Sequence, residues 1–387
     1  MLKGHFSHFL AADPGRLHFA AHSHHPWPDA TRAAHLQYWD DSARYADRKW
    51  DRIFGVTVPK AQAHLARLLQ LSDPAQVAFS ANTHDFVQRL YSCFEERRPL
   101  RVLSSAHEFY SFRRQTRRLA EAGRVALEEV PGPPFESFLE RFVERERGAP
   151  WDLVFLSHVF FDSAFVVRAL EAVCDAAPEN AMVVIDGYHA LCALPVDLTR
   201  VHRRAFYVGG GYKYAMAGEA AAYLAVPPGC DARPLNTGWF AAFRSLAGPA
   251  DADVPYEPDA MRFWGATFDP SGLYRFNAAM DWLQSTGVTI AQVHQHAEEL
   301  QQRFLRGLEA VASPRLSPQH LVPAEGIPRG NFLAFDVEDA AELYVRLSAQ
   351  QVAIDRRDRR LRFGFGIYHE PADVDRLLEA VSRALVG

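Results

Sequence analysis

The sequence predicts an α/β fold: a doubly wound, mostly parallel sheet with helices on both faces, then a smaller α+β C-terminal domain. Three observations carry this. Short apolar runs alternate with helical patterns from about residue 57 to 226, as parallel strands joined by crossover helices require. Beyond about residue 275 the alternation gives way to two long helices followed by strand and helix pieces, an ordinary domain in size. At 387 residues the chain is also too long for one small core and suits one large and one smaller domain.

The elements follow in order. The first forty or so residues lack strong periodicity and are expected to join the smaller domain or cover the site. The expected division is an N-terminal segment 1–45, a large domain 46–270 and a small domain 271–387. Leu65, Leu68 and Leu69 form the apolar stripe of a helix over 57–70. Val77-Ala78-Phe79-Ser80 reads as a strand, and Asn82-Thr83-His84-Asp85 as the polar start of a helix through Phe94. Val102-Leu103-Ser104 precedes a helix through Gly123. Val125-Ala126-Leu127 leads to a helix over 135–147, and Leu153-Val154-Phe155-Leu156 to one near 168–176. Strands at 182–185, 205–208 and 221–226 then follow closely. In the last module, helices at 275–286 and 289–312 precede a strand at 331–335 and a helix at 339–349. Strands around 352–355 and 361–366 and a helix from Pro371 to about Leu385 complete it.

Composition narrows the function classes. The balance of 48% hydrophobic and 23% charged residues is that of a soluble globular protein. Formal net charge is −5, and the densest basic run, Arg356-Arg357-Asp358-Arg359-Arg360, is broken by an acid, so no nucleic-acid partner is expected. Cys93, Cys174, Cys192 and Cys230 show no paired spacing, which argues against a disulfide framework and a cysteine zinc site. Without a leader or an apolar run of about 20 residues, a cytoplasmic setting and no membrane partner are the expectation.

Two segments carry chemistry. In Tyr-Val-Gly-Gly-Gly-Tyr-Lys-Tyr-Ala-Met-Ala-Gly, residues 207–218, Lys213 is alone as a charge and follows an apolar strand. The preceding apolar strand, Met182-Val183-Val184-Ile185, ends in Asp186, followed by Gly187, Tyr188 and His189. A sheltered lysine to condense with an aldehyde, and a carboxylate to keep a pyridine nitrogen protonated, are what pyridoxal phosphate (PLP) needs. Gly209, Gly210 and Gly211 are expected to let the backbone approach that ligand. Apolar surroundings are expected to depress the lysine pKa. His189 is placed to touch the cofactor or orient Asp186. Asn82, Thr83 and His84, at a strand-to-helix junction, offer a phosphate cradle, with an ordinary helix cap as the alternative. His22-Ser23-His24-His25 lacks a carboxylate or cysteine to complete a metal set, and Pro26 and Pro28 mark a loop, so it is expected to face substrate or the surface. Arg362, flanked by apolar residues on a strand, suits a substrate carboxylate held in two hydrogen bonds; a solvated salt bridge is the alternative.

These residues resemble the class V, fold-type I PLP enzymes, and among them most the kynureninases. The likeness runs from about residue 19 to the C-terminus and is specific in patches. Tyr212-Lys213-Tyr214 with Gly218 resembles the family lysine motif, Asp186-Gly187-Tyr188-His189-Ala190 its Asp-x-x-His-Ala, and Ser157-His158-Val159 its Ser/Thr-His-Val. The resemblance implies the PLP-dependent transferase fold (type I), with Lys213 carrying the cofactor and Tyr212 on its phosphate. Glu108-Phe109-Tyr110-Ser111 nominates Phe109 to stack on the pyridine ring. Gly238-Trp239 nominates Trp239 for the neighbouring subunit's phosphate, and Thr267 completes the cofactor set. Leu361-Arg362-Phe363 matches the carboxylate-binding strand. The departures are His22-Ser23 for Asn-Ser, Phe160-Phe161-Asp162 for Asn-Tyr-basic, and Asp269-Pro270 for Asn-Pro. His22, Ser23, Phe160, Asp269 and Arg362 are therefore the expected substrate residues. The resemblance further implies a homodimer with shared sites and hydrolytic Cβ–Cγ cleavage of kynurenine or an analogue. An aminotransferase or β-lyase remains the alternative, and a non-catalytic PLP-fold protein a third. A desulfurase needs a mobile nucleophilic cysteine, and residues 231–387 contain none.

Overall fold

The computed structural model describes residues 2–94, 98–245 and 253–386. Strand β1, Leu17–His18, pairs in parallel with β10, Val352–Ala353, so residues near the start are stitched to residues near the finish. The helix Ala30–Tyr45 then appears where no periodicity announced one. It buries few side chains, Thr31 and Asp41 among them, and has no apolar stripe. Polar contacts hold it instead: Tyr274 Oη donates to Asp41 (2.9 Å), and Arg275 Nη1 lies 2.8 Å from His35 Nδ1. A helix fixed by tertiary partners gives little pattern to read.

The main sheet has seven strands in the order β2-β8-β7-β6-β5-β3-β4. These are β2 (Val77–Ser80), β3 (Leu100–Ser105), β4 (Val125–Val130), β5 (Leu153–Ser157), β6 (Met182–Asp186), β7 (Ala205–Gly210) and β8 (Ala222–Ala225). From β4 through β7 every neighbour is parallel, while β8 runs antiparallel to both its neighbours, β7 and β2. Every residue of β5 and β7 is buried, as strands covered by helices on both faces must be.

A three-stranded antiparallel sheet, β11-β12-β9, makes the second layer, with β9 (Phe332–Asp336), β11 (Asp355–Arg357) and β12 (Arg360–Gly364). Its core gathers Leu17 and Phe19, Phe304 and Leu308 from the helix Ile290–Val311, and Val381 from the helix Pro371–Leu385. The helix Ser271–Ser285, which the sequence pattern groups with this module, instead buries Leu273, Phe276 and Met280 in the first core. Its buried residues lie all around the helix, so burial type alone did not reveal which core it joins.

Candidate active site

Strands β5, β6 and β7 end at the same edge, with Ser157 opposite Asp186 and Asp186 opposite Val208. Ligands of open α/β sheets collect at such carboxyl ends. A cavity of about 430 Å³ lies there, walled by Asp186, Lys213, the start of the helix Thr83–Tyr91, the His22–Ser23 loop and residues of β11 and β12.

Asp186 is the last residue of β6 and accepts a hydrogen bond from the Tyr188 N–H (2.9 Å). Burial pushes its carboxyl pKa up, opposed by that hydrogen bond and by Lys213. Lys213 lies in the turn after β7, where its carbonyl accepts the Met216 N–H (2.9 Å) and Gly218 has a positive φ of 69°. Burial lowers the amine pKa, the Arg362 charge lowers it further, and Asp186 raises it. The amine is hydrogen-bonded to His189 Nε2 and sits 5.3 Å from the Phe109 ring centroid and 4.9 Å from that of Tyr188. His189 is buried, with its pKa far below the usual value through burial and then the Lys213 charge; its Nδ1 has no hydrogen-bond partner among the described residues.

At the other end of the cavity Asn82 caps the helix Thr83–Tyr91, its Oδ1 accepting the Asp85 N–H (3.0 Å), so the capping alternative is realised. Asn82 and Thr83 nevertheless face the cavity together with Tyr212. His84 does not reach it; one helical step round, it bonds Gln88 (3.0 Å) and faces a separate surface groove. The glycines of β7 have another purpose than the expected approach to a ligand. A Cβ on Gly209 would lie 2.7 Å from Tyr223 Oη, and one on Gly210 2.8 Å from the Tyr188 ring, so both make room for tyrosines.

On the substrate side the structure brings His22, Ser23 and Arg362 to the cavity. Arg362 is buried on β12, the central strand of its sheet, and so is not a solvated edge residue. It ion-pairs with Asp355 and donates to the Phe161 carbonyl. Phe160 is not at the cavity. It is fully buried, stacked on His107 (5.0 Å) and set edge-on against Phe138, while Phe161 lines the wall. Asp269 is exposed and turns back onto the start of the helix Ser271–Ser285, accepting from Ser271 N (2.9 Å) and Oγ (2.8 Å). Thr267 is exposed, and Trp239 is 45% exposed against Phe240; neither lines this chain's cavity.

Several cavity residues escaped the sequence reading. Tyr188, Ser157, Glu219 and Arg357 all line it, beside Phe161 of the Phe160-Phe161-Asp162 departure. Behind Ser157, Glu108 is fully buried and accepts from Ser157 Oγ (2.5 Å), Ser157 N (3.1 Å) and Ser105 Oγ (2.5 Å). Burial pushes its carboxyl up to about 8. An acid three residues beyond β3, after Ser104 and Ser105, was the available signal. Among the described residues no group of three or more His, Cys, Asp or Glu side chains could hold a metal ion.

This donor set fits PLP. The buried carboxylate suits a pyridinium nitrogen, Phe109 offers a stacking ring, the amine suits an aldehyde, and a helix N-terminus suits a phosphate. Residues 58–377 match the family described as class-V aminotransferases. Isopenicillin N epimerase of Streptomyces clavuligerus is 28% identical over 187 residues, 46% of each chain. A "probable cysteine desulfurase" of Vibrio cholerae serotype O1 is 24% identical over 241 residues, 56% of this chain and 55% of that one. The chain thus spans about half the length of the curated relatives it matches. Among solved structures, a cystine C–S lyase, C-DES, in complex with cysteine persulfide superposes with a TM-score of 0.80 at 17% identity, covering 95% of this chain and 97% of that one. The cysteine desulfurase CsdA of Escherichia coli gives 0.80 at 16% identity, covering 98% of each. The fold is shared with both. With a match across most of its length, the chain belongs to the class-V aminotransferase family, whose cofactor is pyridoxal phosphate.

Proposed function

We propose that this PLP-dependent enzyme, which acts on an amino acid, cleaves the Cβ–Cγ bond of kynurenine or an analogue by hydrolysis, giving alanine and an anthranilate-type acid. Bound PLP supplies the electron sink for charge developing at Cα. Asp186 holds the ring nitrogen protonated. Lys213 Nζ, depressed in pKa by burial, takes the Cα proton, with His189 Nε2 orienting it. Asn82, Thr83 and Tyr212 hold the phosphate, Phe109 stacks on the ring, and Arg362 grips the α-carboxylate. The observation that carries the substrate reading is Phe161, an aromatic wall 5.9 Å from the Arg362 guanidinium, beside the uncharged His22. Chemistry needing a protein thiol is disfavoured, because none of the four cysteines lines the cavity, and burial pushes Cys93, Cys174 and Cys192 up to about 12.

We infer a homodimer as well, with Trp239 and Thr267 offered to the partner's cofactor. The exposed Trp39 (70%) and Leu36 (50%) support an apolar contact surface.

The test adds L-kynurenine to the purified holoenzyme and follows anthranilate fluorescence with the cofactor's visible absorbance. Anthranilate release is the expected result. Absorbance changes without release would overturn kynurenine cleavage and point to transamination or β-elimination on other amino acids.

A further inference from the structure

The basic run at 356–360 sends one guanidinium into the cavity. On β11, Asp355 stands opposite Arg362 of β12, and Arg357, two residues on, shares its face. The Asp355 carboxylate lies between the two arginines. Its Oδ2 ion-pairs with Arg362 Nη2, and its Oδ1 is 3.5 Å from Arg357 Nη1. Both arginines line the cavity, and each has a buried Nε with no hydrogen-bond partner among the described residues.

The local charge does not close. Two guanidiniums share one carboxylate, leaving one positive charge in excess on this wall of the cavity, where Arg357 keeps 38% of its side chain exposed and within reach of a ligand. Asp162, the other acid nearby, is engaged by His107 Nδ1 (2.8 Å) and Arg360 (3.4 Å). His22, 3.8 Å from Asp355, is neutral and changes nothing in that count. One substrate carboxylate balances it, and the two free Nε–H groups are donors of the kind that carboxylates take in charge-assisted bonds.

We propose that Arg357 is a second arginine of the substrate site, binding the α-carboxylate together with Arg362, while Asp355 is the positioning residue that holds both guanidiniums. This rests on the reading of Arg362 given above. The holoenzyme is titrated with L-alanine and, separately, with ethylamine, which lacks the carboxylate, and the cofactor absorbance is followed. Arg357→Gln is expected to weaken alanine about tenfold or more and leave ethylamine unchanged. Arg357→Lys, retaining the charge, recovers part of the loss, and Asp355→Asn lowers the alanine-to-ethylamine preference. Unchanged alanine binding in Arg357→Gln, or equal loss for both amines, overturns the proposal provided Arg362→Gln loses alanine selectively. If Arg362→Gln shows no selective loss, the carboxylate site itself has been misplaced and the inference falls with it.

Discussion

Lys213 and Asp186 show how burial changes what a charged side chain can do. Each is disfavoured as an ion by the apolar surroundings, so the amine is available as a base and the carboxylate is tied to whatever cation faces it. Lys213→Ala is expected to abolish covalent retention of the cofactor after borohydride reduction and to cut turnover by roughly 10²–10⁴ or more. A variant that keeps both would remove Lys213 from the chemistry. The two residues were legible because each is a charge beside an apolar strand. Phe160 and Phe161 both read as substrate-side positions, and of the two Phe161 lines the cavity, since the irregular stretch after β5 has no period from which to read which side chain faces in. Arg357 was hidden in a run of arginines that reads as solvated surface. Asp269 reads as a pocket residue only by analogy; its carboxylate turns back onto the start of a helix.

At the scale of elements, the strands of the main sheet were legible as apolar runs bounded by polar turns, and the helix Ala30–Tyr45 was not, because its support is polar and distant in sequence. The helix Phe138–Arg147 carries a different anomaly. Glu146 is buried on it, and both carboxylate oxygens lack hydrogen-bond partners among the described residues. Burial raises its pKa from 4.5 to about 8. The folded form keeps a proton that the unfolded chain releases above 4.5, so this stability is complete at low pH and is lost as pH rises through about 8. Glu146→Met keeps the length and removes the oxygens. It is expected to add about 1–3 kcal/mol and to flatten the alkaline side of the stability profile. Chemical denaturation on either side of that window checks it; a less stable variant would show that the carboxyl has a partner in solution.

Across the whole molecule, histidines join the N-terminal segment to Tyr368 and His369, two of them (His25 and His369) buried and His18 half-buried. His18 Nδ1 lies 2.6 Å from Tyr368 Oη, His369 Nε2 lies 2.6 Å from the His18 carbonyl, and His25 meets the Tyr368 ring edge-on at 5.1 Å. Burial, more than any neighbour, depresses all three, His25 to about 4 and His369 to about 3. Above the ordinary value of 6.5 both folded and unfolded chains hold them neutral. Below it the unfolded chain takes up protons first, so stability falls progressively as pH drops from 6.5 toward 4. Thermal unfolding should show that loss, with amide exchange rising first around residues 17–25. A flat profile over this range would mean that the joint does not contribute. No periodicity in the first forty residues could have shown such a joint, because its partners lie more than three hundred positions away.

The same joint has a consequence for synthesis. Leu17 waits for Val352, and the His22 loop packs against Gly364, where an added Cβ would collide with His22. On the ribosome the main sheet can assemble strand by strand as it emerges, but the cavity's outer wall cannot form until residues 352–364 have been made. Residues 17–22 must therefore stay unpaired, and in need of protection from aggregation, while the more than three hundred residues between the two partners are made.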